Sequence, residues 1–335
     1  MRLQATPLPL ATVCLLAALA ATNVAAQEVD LGGARQKITI ASNVRVRSGP
    51  ETAAQEVARL KLGAVVAASA RTAEPAEIAG KREHWYKVAL ASGETGWVFG
   101  GFLADYDAAR KSEVKRRIVE ERLKAEELKF DDGVDLYNFA SQTAAEETDA
   151  EARAVFELQK LLALGRAAGA VQPDQRETSP FREFLKTHEQ QLYFHELAGS
   201  IAVRSEAFWA LEQKHRGTAV GERIAWEAAE NLTPGECESD EVCQFLRLHE
   251  TRGRYLSLYP TGARAAEVLK SYDEALASEQ VRQTLTGKGG DQYEVEARGQ
   301  LRKALAELRG RLAKATAPEK AAVLKRLDGL APAGR

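Results

Sequence analysis

The feature that most constrains the fold is a change of period near residue 104. Before it, apolar residues alternate with polar ones; after it, they recur every three or four positions. Ile38, Ile40, Val44 and Val46 alternate with Thr39, Arg45 and Arg47, the two-residue period of half-buried strands. Ser48-Gly49-Pro50 ends that run with turn chemistry. Residues 57–66 hold apolar positions broken by Lys61 and Gly63. Residues 85–90 and 96–98 then flank Ser92-Gly93-Glu94-Thr95, a short glycine-containing loop of hairpin type. Several short strands in so small a span predict a closed or nearly closed barrel over residues 37–104.

Five pieces of this segment occur in an ordered series: Asn43-Val-Arg-Val-Arg-Ser-Gly-Pro50, Leu60-Lys-Leu-Gly63, Trp85-Tyr-Lys-Val88, Thr95-Gly-Trp-Val98 and Gly101-Phe-Leu103. In order and spacing they resemble the pattern of bacterial SH3 domains, over about a fifth of the chain. One departure is residues 71–83, which are longer than usual and hold Pro75 and Gly80; they read as an enlarged surface loop. The resemblance implies a binding module, found in envelope proteins and wall hydrolases, that recognises peptidoglycan or peptide. Trp85, Tyr86 and Trp97 are the candidate contacts, because rigid aromatics give large contact area with little entropy to lose. For Trp85 and Trp97, packing in the barrel or its rim is the favoured reading over ligand contact. Arg45 and Arg47 alternate with core valines and so point outward, where they serve as a solvated face or meet an acidic ligand.

Residues 105–335 read as an all-α domain. Residues 105–129 carry Val114, Ile118, Ala125 and Leu128 on one stripe, and Asp131-Asp132-Gly133 reads as a break. Residues 149–168 place Val155, Leu158 and Leu162 at helical spacing, and residues 191–215 form a third long helical candidate. Residues 214–225 and 258–269 align at an offset of 44, each a turn followed by a helix start rich in small residues. The second of these resembles the linker-to-helix segment of tetratricopeptide-like repeats. Stacked helical hairpins, each burying what its neighbour leaves open, are the expected arrangement. Residues 291–314 close the series with Leu301, Leu305, Leu308 and Leu312 in one seam. The fold class is therefore α+β and multidomain.

The first 26 residues read as a secretory signal: Arg2, an apolar run over residues 8–21, and Val24-Ala25-Ala26 before Gln27. Residues 27–36 are a polar linker in this reading. Export leaves two of three cysteines, Cys237 and Cys243, expected to pair in an oxidising compartment. Six positions apart on one helix they could not reach each other, so at least one must lie in the turn at Pro234-Gly235, with Cys243 opening the next helix. Closing so short a loop contributes about 2 to 3 kcal/mol.

Acidic and basic residues are interleaved and the net charge is −2, or −3 without Arg2, which argues against nucleic-acid binding. No run beyond the leader is apolar for the 18 or more residues of a membrane span. His195-Glu196 and His249-Glu250 begin like a metalloprotease helix, but each lacks the second His four residues on. His188 and His195 could share a helix face, without enough neighbouring ligands to hold a metal. No nucleophile elbow or phosphate loop occurs, and Gly287-Lys-Gly-Gly290 reads as an interhelical turn. The expectation is an exported, non-enzymatic binding or scaffold protein, periplasmic or secreted, without cofactor or metal. Its barrel would take a wall fragment or peptide and its helices an envelope protein. The alternative is a wall-targeted hydrolase whose catalytic groups lie unrecognised in the helices.

Overall fold

The computed structural model describes residues 27–330; the leader expected over residues 1–26 lies outside them. Strands β1 (Glu28–Thr39), β2 (Val44–Arg47), β3 (Glu56–Leu60) and β4 (Val65–Thr72) open the chain. They are followed by β5 (Ala76–Ile78), β6 (Lys81–Glu83), β7 (Trp85–Ala89), β8 (Thr95–Phe99) and β9 (Leu103–Asp105). Seven strands form an antiparallel sheet in the order β3-β2-β8-β7-β4-β1-β9. Inside it, Val44, Val46, Val66, Ala68, Val88 and Val98 make one apolar core. The alternation of residues 44–47 is thus obeyed, with valines inward and arginines outward.

Two sequence expectations change here. Residues 27–36, expected to be a linker, form most of β1, which pairs with β4 from Glu28↔Thr72 to Ile38↔Val65. Their side chains are largely exposed, so backbone pairing does most to make the strand, and polarity disguised it. The register slips between Asp30 and Arg35, where Gly32 and Gly33 take positive φ values of 68° and 138°. Residues 71–83, expected to be a loop, hold the hairpin β5–β6, turning at Ala79 and Gly80.

The helical part begins with α1 (Lys111–Leu123), α2 (Phe130–Glu146) and α3 (Ala150–Gly169). Asp131 and Asp132 do not break a helix but occupy the first turn of α2, where carboxylates meet the positive end of the helix dipole. Gly133 lies against α3; a Cβ there would sit 2.7 Å from Ala167 Cα. Asp149 caps α3 through the Ala152 N–H.

Next come α4 (Phe181–Thr187), β10 (Leu192–His195), β11 (Ser200–Val203), α5 (Ser205–His215) and α6 (Ala219–Glu230). The long helix expected over residues 191–215 is therefore a β-hairpin followed by a shorter helix. Gly199 turns the hairpin at φ 61°, and the Arg204 N–H closes it onto Gln191 O at 2.7 Å. His188 ends α4 and His195 sits in β10, so they share no helix face.

The chain finishes with α7 (Glu241–Glu250), α8 (Arg252–Leu258), α9 (Ala265–Leu276), α10 (Glu279–Thr286), α11 (Gln292–Lys314) and α12 (Lys320–Leu330). The two segments offset by 44 residues each run from a helix end through a turn into the next helix, α5 into α6 and α8 into α9. Buried polar contacts tie them together. The Tyr255 hydroxyl and the Ala263 N–H both donate to Glu222 Oε1 at 2.6 Å. The Tyr259 hydroxyl donates to Glu212 Oε1 at 2.9 Å, and Arg216 grips the same carboxylate through two nitrogens. Burial opposes the charge on Glu212, yet the hydrogen bonds from Arg216 and Tyr259 hold its carboxyl below the usual range. Leu301, Leu308 and Leu312 of α11 are buried in the main helical core, and α12 packs beyond it on α9.

The barrel is not a free bead on this array. Ile38 and Leu62 share one apolar cluster with Val114, Ile118, Val119, Leu136, Phe139, Ala140 and Ala163 of the first three helices. The turn at Gly63 (φ 79°) is pressed so close to α2 that a Cβ would fall 2.1 Å from the Phe139 ring.

Candidate functional site: an aromatic groove on the outer face of the barrel

Because side chains alternate across a strand, β7 and β8 carry two different apolar sets. Tyr86, Val88 and Val98 turn inward to the barrel core. Trp85, Trp97 and Phe99 turn the other way and form a second cluster of their own. Register places Trp85 opposite Phe99 and Lys87 opposite Trp97, so this outer set is contiguous. Trp85 meets Phe99 edge to face at 5.8 Å, and Phe99 meets Phe102 at 5.7 Å. Such a face would be exposed on a bare barrel. Here Ala76 and Ile78 of the inserted β5–β6 hairpin pack onto it, leaving Trp85 4% and Trp97 8% exposed.

The cover is incomplete. A groove of about 450 Å³ remains, floored by Trp85, Phe99, Phe102 and Ile78 and edged by Arg45 and Arg47. All of its walls come from the barrel. Its remaining side is the tight turn over Ala41, Ser42 and Asn43, where Asn43 takes φ 52°. The Ser42 hydroxyl is buried there without a hydrogen-bond partner, an open position for a polar ligand group. Arg47 donates to Ala54 O at 2.7 Å, which fixes the guanidinium without neutralising it. Arg45 lies 3.3 Å from Glu56 Oε2. The Glu56 carboxyl is held below its usual range, first by the hydrogen bond from Arg59, so it stays ionised beside Arg45.

The three aromatics singled out in the sequence therefore separate. Trp85 lines the groove. Trp97 belongs to the same outer cluster but is outside the groove wall, with the Lys87 ammonium 5.8 Å from its ring centroid. Tyr86 packs on the barrel core under the Lys37 ammonium, 4.5 Å from its centroid. The groove residues that the motif reading missed are Phe99, Phe102 and Ser42. Alternation along residues 95–99 carries the signal for Phe99, since it shares a face with Trp97.

Cys237 and Cys243 are bridged, with Cα atoms 5.3 Å apart. Cys237 lies in the turn and Cys243 in the first turn of α7, capped by Asp240, which accepts from the Val242 and Cys243 N–H groups. Among the described residues no helix is long and apolar enough to cross a membrane. Among the same residues no group of three or more His, Cys, Asp or Glu is arranged to hold a metal.

Comparison with known proteins gives one family match, the bacterial SH3 domain, over residues 42–104. No curated protein and no solved structure matches the chain. The matched span coincides with the strands that build the inner core and the aromatic outer face. Residues 42–104 of this chain are a bacterial SH3 domain, carried on a helical array and roofed by its own inserted hairpin.

Proposed function

We propose that the chain is an exported, non-enzymatic binding protein of the cell envelope, periplasmic or secreted. Its SH3 groove takes a peptidoglycan fragment or peptide, and its helical array supplies the surface for a protein partner. A bacterial SH3 domain already implies a wall or peptide ligand. The observation that carries the finer reading is the groove itself: an aromatic floor, a buried hydroxyl without a partner, and a guanidinium fixed but not neutralised. Those features suit a ligand with an apolar body and a carboxylate. The leader-like first 26 residues and the Cys237–Cys243 bridge support an oxidising, extracytoplasmic setting.

Titration of the full chain with wall fragments, beside sedimentation with intact peptidoglycan, tests the groove. Binding should weaken on R45Q/R47Q and with added salt; absence of binding in both formats removes the proposal. Lytic clearing in zymography would instead establish the hydrolase alternative. A second reading, the SH3 unit as a structural wedge, draws on the apolar cluster that Ile38 and Leu62 share with α1–α3. It requires that groove variants leave every interaction of the chain unchanged.

A further inference from the structure

A second concavity lies far along the sequence from the SH3 unit, between the β10–β11 hairpin, α5, α7, α8 and the start of α11. It encloses about 640 Å³, within the roughly 300–1,000 Å³ typical of ligand sites. Three arginines line it, Arg204, Arg247 and Arg254. None has a carboxylate within salt-bridge distance, and none of their guanidinium groups makes a hydrogen bond, among the described residues. Other arginines of the helical part behave differently: Arg216 is paired with Glu212, Arg252 with Glu230 and Arg264 with Glu267. Two of the three unpaired cations are held against aromatic faces instead, Arg254 over Trp209 at 4.2 Å and Arg204 over Tyr193 at 5.7 Å.

The Tyr193 hydroxyl, also on the cavity wall, is buried with no hydrogen-bond partner. Burial, ahead of the Glu206 charge, pushes its titration upward, so at neutral pH it is a protonated donor awaiting an acceptor. Three unpaired guanidinium groups, which can only donate, stand beside a hydroxyl free to donate, and together they ask for an anion. Its class follows from the rest of the wall, where Glu206, Glu250 and Glu296 also stand. A compact dianion such as phosphate would be repelled by these carboxylates. A molecule carrying one carboxylate and a separate cationic group would satisfy both signs.

We infer that this cavity is a second binding site, for a short peptide held through its free C-terminal carboxylate, with its amino group toward the carboxylates of the wall. The Cys237–Cys243 bridge would serve the site by fastening the loop that carries Thr233 and Pro234 to α7, so that both walls are in place before binding. The inference stands on residues distinct from the SH3 groove and does not depend on what that groove binds.

Saturation-transfer NMR on the full chain tests it, with a pool of tripeptides bearing free C-termini, the same pool C-terminally amidated, and inorganic phosphate. The acid pool should bind, and amidation should weaken binding about tenfold or more, as loss of a charge-assisted hydrogen-bonded pair predicts. R204Q/R247Q should weaken it about equally, Tyr193→Phe less, and R45Q/R47Q in the SH3 groove not at all. Unchanged thermal unfolding of each variant shows that it is folded. Equal binding of acid and amide pools, phosphate binding as tightly as peptide, no binding of the pool, or loss through the SH3 variant alone would each overturn the assignment.

Discussion

Replacing Gly63 by alanine isolates the contact that joins the SH3 unit to the helices. The substitution has two consequences. At φ 79° any L-residue is strained, by about 1 to 2 kcal/mol, partly offset by the smaller unfolded-state entropy of alanine. The new methyl must also enter space held by the buried Phe139 ring, whose nearest atom would be 2.1 Å away. Forcing extra volume into a packed core destabilises by about 1 to 3 kcal/mol. Gly80 supplies the control, since its φ is 74° but no atom lies within 4 Å of a built Cβ. Gly80→Ala should therefore lose about 1 kcal/mol and Gly63→Ala about 2 to 4 kcal/mol, the difference being the price of packing against α2. Urea denaturation followed by circular dichroism measures both from midpoints at a shared slope. Combining Gly63→Ala with Phe139→Leu should recover part of the loss, a coupling expected only of residues in contact. Equal losses at positions 63 and 80, or strict additivity with Phe139→Leu, would refute the docked barrel.

Other consequences are as direct. Reducing the Cys237–Cys243 bridge should lower stability by about 2 to 3 kcal/mol, seen as a shift of the urea midpoint on adding reductant that Cys243→Ser abolishes. Gly133→Ala sits inside α2, where helix propensity alone predicts a gain of about 1 kcal/mol. Because its Cβ would meet Ala167 Cα at 2.7 Å, the variant should instead be destabilised, read from its melting temperature. His249 is buried; Arg311 donates to its Nδ1, so Nε2–H donates to Glu307 at 3.0 Å and the ring is neutral. Desolvation first, with Arg311 adding to it, holds its titration below that of a free histidine, while the hydrogen bond to Glu307 opposes. The unfolded state then binds the extra proton, so stability is fully present above pH 6.5 and falls as pH drops below it toward the depressed native value. His249→Gln should flatten that part of the stability–pH profile.

What the sequence disclosed depended on whether side chains or backbone carried the information. Val44 and Val46 announce β2 because they alternate with Arg45 and Arg47 across a half-buried sheet. Val155, Leu158 and Leu162 announce α3 because their helical spacing forms the stripe that packs on the core. The first half of β1 was hidden, since its pairing with β4 is made by backbone groups and most of its side chains face water. Gly133 misled for a related reason: a glycine beside two aspartates reads as a breaker, and only the partner helix reveals that the missing Cβ makes room for Ala167. The β10–β11 hairpin escaped because Leu192, Phe194 and Leu197 fit a helical stripe as well as a strand, and Gly199 alone marks the turn. In the groove, Trp85 was legible as an aromatic in a family motif. The unpaired Ser42 hydroxyl was not, because its burial is a property of surroundings assembled from distant residues.

The inserted hairpin and the docked barrel together explain why a binding groove can persist on so small a sheet. A barrel of this size has one inner core and an outer surface that must be polar, covered or used. Ile38, Leu62 and the helices α1–α3 cover one outer region and so fix the domain in place. Ala76 and Ile78 pack over most of another, the cluster of Trp85, Trp97 and Phe99. What remains is a strip whose apolar floor is too recessed to drive aggregation and whose rim carries Arg45 and Arg47. Deleting residues 75–82 would bare Trp85, Trp97 and Phe99 at once, and the chain should then self-associate and bind 8-anilinonaphthalene-1-sulfonate. A deletion variant that stays monomeric and leaves that dye dark would mean the hairpin does not roof these aromatics.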